Sequence, residues 1–145
     1  MYYLPKLSEL QDPADIKNEI LQGYKIILPV AAACGLVIYL LRDIIIRVLF
    51  TAEFAEMEVL FGWQMVGDTL KIGSWILAYL ILAKAMIFVF VVSEVVFAFL
   101  FYFFAFYIVQ LMGLKGVAIA HALNYLIYFI SVFFVVRHKL RSNEL

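Results

Sequence analysis

The sequence predicts an all-α integral membrane protein with four transmembrane helices, joined by short amphipathic or interfacial helices. Of its 145 residues, 67% are apolar and only 15% are charged, whereas soluble domains contain about 25% charged residues. The mean hydropathy is +1.03. Four apolar runs also approach or exceed the length that a bilayer requires, which is roughly 20 residues per helix.

The four predicted spans follow from the positions of these apolar runs. They cover residues 24–41, 59–83, 85–111 and 116–136. The first is the shortest; it begins beside Lys25 and ends at Arg42, and the long side chains of these two residues can extend to the membrane interface. The other three are long enough to cross the bilayer with some tilt.

Three segments lie outside the predicted spans. Residues 1–23 are polar and lack the apolar core of a secretory signal, so we interpret them as an amphipathic linker. Within the linker, Pro13 favours the start of a short helix that Gly23 can end. Residues 42–58 mix charged and branched apolar side chains, which is typical of an interfacial helix and loop. Residues 137–145 form a basic tail.

The basic residues near the ends of the spans predict the orientation, because short cytoplasmic loops carry an excess of Lys and Arg. Placing both termini in the cytoplasm leaves three basic residues on the other side, Arg42, Arg47 and Lys115. It assigns seven to the cytoplasm: Lys6, Lys17, Lys25, Lys84, Arg137, Lys139 and Arg141. We therefore predict cytoplasmic termini and a periplasmic location for residues 42–58.

Asp68 and Lys71 are the only charged residues in the second predicted span. An unpaired charge at that depth costs at least ~2.5 kcal/mol on insertion scales, so such groups are paired, hydrated or functional. Since they are three residues apart, the two side chains share one helix face. Two interpretations remain open, an internal salt bridge that fixes helix packing or a role in ligand or ion binding.

Small and polar residues predict which helix faces meet one another rather than lipid. In the second span they recur at helical spacing with Lys71, and in the fourth span they surround Asn124. The third span has Glu94 as its only charge, on a face with small residues. The residues of the three faces are Gly67, Ser74 and Ala78; Gly113, Gly116, Ala120 and Ser131; and Ala98, Tyr102 and Ala105. These faces predict an internal cavity or seam.

Two further titratable residues have alternative interpretations. Glu94 is either a proton-sensitive site or a hydrogen-bonded partner of a neighbouring helix. His121, one turn from Asn124, is interpreted as a packing or hydrogen-bonding residue in preference to a ligand or proton relay.

Motifs of soluble enzymes are absent from the sequence, which contains no HExxH, CxxC, Gly-rich phosphate loop or G-x-S-x-G motif. Two histidines and one cysteine predict no metal site, and no cofactor is expected. The formal net charge of zero gives no reason to expect a nucleic-acid partner. We therefore predict that the chain is not an enzyme.

Several motifs, taken in order, resemble the carboxy-terminal third of the O-antigen and enterobacterial common antigen flippases of the MOP superfamily, which also contains the MATE exporters. They are Tyr2 to Ser8, Pro29, Gly67-Asp68-Thr69-Leu70-Lys71-Ile72 followed by Trp75 and Tyr79, Ala83-Lys84, Glu94, and Gly113 to Ala120. The resemblance implies a MATE-like fold of twelve helices in two lobes. This chain would supply the last four helices and would be a fragment, a split gene product or a truncated reading frame.

The resemblance also implies a function, the alternating-access transport of an undecaprenyl-pyrophosphate-linked oligosaccharide across the bacterial inner membrane. The partners would be this lipid carrier, membrane lipid and the missing amino-terminal lobe. The substrate-binding residues would be Lys71, Asp68, Ser74 and Asn124, with Asp68 and Glu94 as candidates for ion or proton coupling. The alternatives are another MOP-type exporter, for drugs, cations or a different glycan, and a four-span accessory subunit without transport activity.

Overall fold

The computed structural model describes residues 3–49 and 57–142. In these two ranges the regular structure is helical throughout. The helices are α1 (Tyr3–Glu9), α2 (Pro13–Leu40), α3 (Arg42–Leu49), α4 (Glu58–Ala83), α5 (Ile87–Met112) and α6 (Lys115–Ser142). Four of these, α2, α4, α5 and α6, are long and apolar enough to cross a membrane. The predicted class, an all-α integral membrane protein with four spans, is confirmed.

The first long helix, α2, is continuous, so the predicted helix end at Gly23 is wrong. It begins where expected, because the side chain of Asp12 accepts a hydrogen bond from the Ala14 amide at 2.9 Å and Pro13 occupies the first turn. Gly23 is buried inside the helix. A glycine in a helix interior costs only about 1 kcal/mol relative to alanine, which packing against neighbouring helices can offset.

The boundaries of α5 and α6 also differ from those predicted. The third span begins at Ile87 rather than residue 85, because Ala85 adopts a φ of 55° in the turn after α4. In the fourth span, α6 continues to Ser142 through most of the predicted basic tail, and residues 143–145 lie outside the described ranges. No Pro or Gly interrupts this extension, and Lys and Arg in a last helical turn are favourable to the helix dipole.

The helices α4 and α6 lie side by side and run in the same direction. Their register is visible at two glycines of α4, since Gly67 lies against His121 and Gly73 against Phe129. In contrast, α2 runs antiparallel to α4, and the hydroxyl of Tyr24 donates a hydrogen bond to the Gly73 carbonyl at 2.8 Å. The helix α5 packs mainly on α6. This arrangement places α4 between α2 and α6.

The apolar core lies at the end of the bundle where α1 and the start of α2 meet the ends of α4 and α6. Leu7, Ile16 and Leu80 are fully buried there. Two polar contacts hold this end together, the Lys6–Glu19 ion pair at 2.6 Å and a hydrogen bond from the Lys84 ammonium to the Leu10 carbonyl. Six of the seven basic residues that were assigned to the cytoplasm therefore lie at this end of the bundle. The seventh, Lys25, lies about two turns beyond Lys17 along α2.

At the opposite end, α3 follows α2 directly. The Arg42 guanidinium donates a hydrogen bond to Glu58 at 2.9 Å and another to the Tyr39 carbonyl at 3.0 Å. The hydrogen bond to Glu58 raises the pKa of Arg42, which stays protonated. A helix is thus present in the segment predicted to be interfacial, while residues 50–56 of that segment lie outside the described ranges.

Candidate functional site

The candidate site is built on the contact between α4 and α6, which we call the α4–α6 seam. Gly67, Ser74 and Ala78 of α4 are buried, as are Ala120 and Asn124 of α6. A Cβ atom on Gly67 would lie 2.2 Å from His121 Cδ2 and 3.2 Å from the Ala122 Cα. The small-residue faces predicted for the second and fourth spans therefore do meet, as expected for helices that pack closely in a membrane.

Two parts of the predicted small-residue pattern lie elsewhere. Gly113 is not on the face of α6, since it forms the turn after α5 with a φ of 62°. The predicted face of α5 is not buried in the seam, because Glu94, Ala98 and Tyr102 are all exposed. Short side chains on α5 therefore do not by themselves produce a packed interface here.

Asp68 pairs with His121 across the seam rather than with Lys71 on its own helix. His121 Nε2 lies 3.0 Å from Asp68 Oδ1, and the amide of Gln64 lies 3.4 Å from both carboxylate oxygens. The side chain of His121 is 13% exposed and that of Asp68 is 40% exposed. Among the residues that the structure describes, Asp68 and Lys71 form no salt bridge, so the interpretation as an internal i, i+3 pair is wrong. The hydrogen-bonding interpretation of His121 is confirmed.

Lys71 lies in the middle of α4 with aromatic rings around its ammonium group. Its Nζ atom is 5.1 Å from the ring centre of Trp75 and 5.3 Å from that of Tyr125. Both distances are within the range of cation–π attraction. Within residues 3–49 and 57–142, no carboxylate forms an ion pair with this ammonium group.

A cavity of about 310 Å³, which we call the central cavity, opens between α4, α5 and α6. Its polar lining consists of Lys71, Glu94, His121, Asn124, Tyr125 and Tyr128. The buried hydroxyl of Tyr128 donates a hydrogen bond to Glu94 Oε1 at 2.6 Å. The Oδ1 atom of Asn124 is buried and has no hydrogen-bond partner in the described part of the chain. The structure thus brings three of the predicted site residues, Lys71, Glu94 and Asn124, to one cavity.

The other two predicted site residues have different surroundings. Ser74 is fully buried, and its hydroxyl donates a hydrogen bond to the Lys71 carbonyl at 2.7 Å, so it does not line the central cavity. Asp68 lines a separate groove between α2 and α4, of about 630 Å³, which Lys71 also borders. Lys71 therefore lies between two open spaces.

Tyr125 and Tyr128 were not singled out from the sequence, although they supply an aromatic wall and the only hydroxyl partner found for Glu94 in the described ranges. The spacing of residues along the fourth span could have identified Tyr128. Tyr128 follows Asn124 by four residues, and Asn124 follows His121 by three, so these side chains share one helix face. No group of three or more His, Cys, Asp or Glu residues in the described ranges could hold a metal ion.

The fold and these side chains define an integral membrane protein that keeps charged and polar groups near the middle of its spans. The chain is similar to the Lipid III flippase of Escherichia coli (strain K12), with 38% identity over 129 residues that make up 89% of this chain and 31% of the relative. The Lipid III flippase of Shigella flexneri gives the same values. The chain therefore spans about a third of the length of these curated relatives. No protein-family model and no solved structure matches it.

Proposed function

We propose that the chain is part of a flippase that moves an undecaprenyl-pyrophosphate-linked oligosaccharide, the O-antigen or enterobacterial common antigen repeat unit, across the bacterial inner membrane. Four apolar helices and the similarity to proteins named Lipid III flippase support this proposal. That name denotes transport rather than catalysis. In the proposal, these helices form part of a MATE-like lobe, and an amino-terminal lobe supplies the rest of the alternating-access pathway.

The observation that carries the proposal is the position of Lys71. A pyrophosphate group that crosses the membrane needs a cation inside a hydrated space, and transporters supply such groups near mid-depth. The Lys71 ammonium borders two open spaces and contacts two aromatic rings instead of a carboxylate. Cation–π attraction of about 0.5–2 kcal/mol is weaker than a charge-assisted bond to phosphate, so a phosphate oxygen can replace a ring as its partner.

The neighbouring residues fit supporting roles. Asn124 lines the central cavity, where its side-chain amide can hydrogen-bond a sugar hydroxyl of the substrate. Ser74 positions the helical turn that carries Lys71, through its bond to the Lys71 carbonyl. The proposed substrate site thus comprises Lys71, Asn124, Ser74 and Asp68, of which Ser74 and Asp68 act through their neighbours.

Asp68 and Glu94 are proposed as coupling residues because each joins α6 to a neighbouring helix through one hydrogen bond. Protonation of Asp68 would remove its charge and weaken its attraction to His121, which loosens the α4–α6 seam. Protonation of Glu94 would likewise weaken the bond that Tyr128 donates from α6. The excess of basic residues at one end supports the proposed orientation, with both termini in the cytoplasm.

Binding of the carrier to Lys71 tests the proposal, with Trp75 as a built-in reporter. In a Trp63→Phe background, Trp75 is the only tryptophan. The chain is placed in phosphatidylcholine nanodiscs and titrated with undecaprenyl pyrophosphate, and affinity is read from the midpoint of the fluorescence change. We expect saturable binding that Lys71→Gln weakens by roughly tenfold or more, since bonds to charged groups contribute about 1.5–3 kcal/mol.

The matched control is Lys25→Gln, which removes an exposed positive charge from α2 outside both cavities. It should leave the midpoint unchanged. Equal affinities for Lys71→Gln and the parent would contradict the proposed phosphate contact.

A further inference from the structure

A third cavity lies away from the central cavity and from the groove between α2 and α4, at the end of the bundle where α2 begins and α6 ends. Its volume is about 580 Å³, and we call it the terminal groove. Apolar side chains from α2, α4 and α6 form most of its wall, among them Leu21, Leu77 and Phe133. Three basic residues, Lys17, Arg137 and Arg141, complete the lining, and the proposed function uses none of them.

The three cations converge from two helices. Lys17 lies near the start of α2, while Arg137 and Arg141 are four residues apart near the end of α6 and so share one helix face. All three are exposed. In the described ranges none of them forms an ion pair, and Glu19, which is close to Lys17 in sequence, is paired with Lys6 instead. The groove therefore carries a concentrated positive charge.

The apolar part of the groove extends from these cations toward the middle of the spans. Phe133 precedes Arg137 by four residues, so it lies about 6 Å deeper along α6. Leu21 lies the same distance beyond Lys17 along α2. Both apolar side chains are open to the surroundings, at 43% and 46% exposure. A ligand that follows this surface has an anionic head at the interface and an apolar tail in the hydrocarbon.

We propose that the terminal groove binds an anionic phospholipid. The phosphate of this lipid contacts Lys17, Arg137 and Arg141, and one of its acyl chains lies against Leu21 and Phe133. Lipid tails are as apolar as the wall of the groove, so tail contacts alone select no lipid within a bilayer. Selection comes from the headgroup, because basic pockets between transmembrane helices attract anionic lipids. A zwitterionic lipid carries its own cation, which these three residues repel.

Lipid retention by the purified chain tests this site. The chain is solubilised in a neutral detergent and mixed with phosphatidylglycerol or phosphatidylcholine of the same chain length, and bound lipid is counted by native mass spectrometry. We expect phosphatidylglycerol to bind at least about tenfold more tightly than phosphatidylcholine. The triple variant Lys17→Gln, Arg137→Gln, Arg141→Gln should remove this preference and leave phosphatidylcholine binding unchanged.

A matched triple variant, Lys25→Gln, Arg47→Gln, Lys115→Gln, removes the same net charge outside the groove and should retain the preference. Arg141→Gln alone changes one exposed residue in the last turn of α6, so it preserves folding even if the triple variant does not. It should weaken phosphatidylglycerol binding about fivefold, the effect of one basic residue at a membrane surface.

Four results would overturn the proposal. The first is an equal loss of phosphatidylglycerol in both triple variants, which would indicate general surface charge. The second is displacement of phosphatidylglycerol by inorganic phosphate at a similar concentration, which would indicate an anion site without a lipid tail. The third is preferential displacement by undecaprenyl phosphate, which would assign the groove to the carrier lipid. The last is a change of oligomeric state in the groove variant, which would assign the groove to a second copy of the chain.

Discussion

The α4–α6 seam and the helix α5 differ both in apolar character and in their surroundings, since α5 is the most apolar of the four long helices. Gly67, Ser74 and Ala78 of α4 are buried against α6, whereas α5 has no buried residue at all. The most exposed side chains of α5 include Phe88, at 80%, and Leu111, at 84%. Because lipid is as apolar as Phe or Leu, large apolar side chains gain little by packing together in a membrane. Small residues therefore mark the buried face of α4 at the seam, whereas the small-residue face of α5 stays exposed and the core at the end of the bundle buries large apolar residues.

The charged residues Asp68 of α4 and Glu94 of α5 both have hydrogen-bond partners on α6. On α4, the partly exposed Asp68 pairs with His121 across the seam. On α5, the only charged residue is Glu94, and its hydrogen-bond partner is Tyr128 on α6. In both cases α6 supplies the partner. The polar face of α6 thus connects the two candidate coupling residues to one helix.

Filling the seam should have the largest effect on stability. Gly67→Ala would place a methyl group 2.2 Å from the His121 ring and 3.2 Å from the Ala122 backbone, so the ring must move away and α6 must shift by a few tenths of an ångström. We expect a loss of about 1–3 kcal/mol in the free energy of unfolding, as for other overpacked sites. The measurement is reversible unfolding of the chain in mixed detergent micelles.

Gly62→Ala on the same helix is the matched control. The nearest atom to its new Cβ would be Tyr39 Cε2 at 3.5 Å, which is an ordinary contact. Alanine also has the higher helix propensity, so this variant should be neutral or slightly more stable. Equal destabilisation by the two substitutions would contradict the account of the seam.

A double-mutant cycle should distinguish the two possible partners of Asp68. For Asp68→Ala combined with His121→Ala, we expect a coupling free energy of about 1 kcal/mol, reduced from a buried value because Asp68 is partly exposed. For Asp68→Ala combined with Lys71→Ala, the effects should add to within about 0.5 kcal/mol. A larger coupling free energy with Lys71 than with His121 would support a salt bridge between Asp68 and Lys71 and would contradict the pairing across the seam.

The smallest effects are expected on the lipid-facing surface of α5. Phe99 is 73% exposed, and Phe99→Leu should change the free energy of unfolding by less than about 0.5 kcal/mol. Phe97, two residues earlier, packs edge-on against Tyr128 with ring centres 4.8 Å apart. Phe97→Leu should cost about 0.5–1.5 kcal/mol, the contribution of an aromatic pair. A larger loss of stability for Phe99→Leu than for Phe97→Leu would show that the face of α5 that carries Phe99 is the packed one.

The number of long apolar helices was predictable from the sequence, because apolar runs of sufficient length are a local property. The helix end at Gly23 was predicted wrongly, because a glycine can end a helix or lie buried inside one, and tertiary packing decides which. The partner of Asp68 was also missed. Spacing along one helix identifies Lys71, whereas His121 is 53 residues away in sequence and becomes a neighbour only when α4 and α6 pack.

Transport by a chimera tests the central claim most directly, namely that the polar face of α4 and α6 handles the lipid-linked substrate. In this chimera the chain replaces the matching third of the Escherichia coli Lipid III flippase, in cells that lack the native protein. We predict that the parent chimera delivers lipid-linked oligosaccharide to the outer leaflet, that Lys71→Gln lowers delivery at least about tenfold, and that Lys25→Gln leaves delivery unchanged. Undiminished delivery by the Lys71→Gln chimera would contradict the claim.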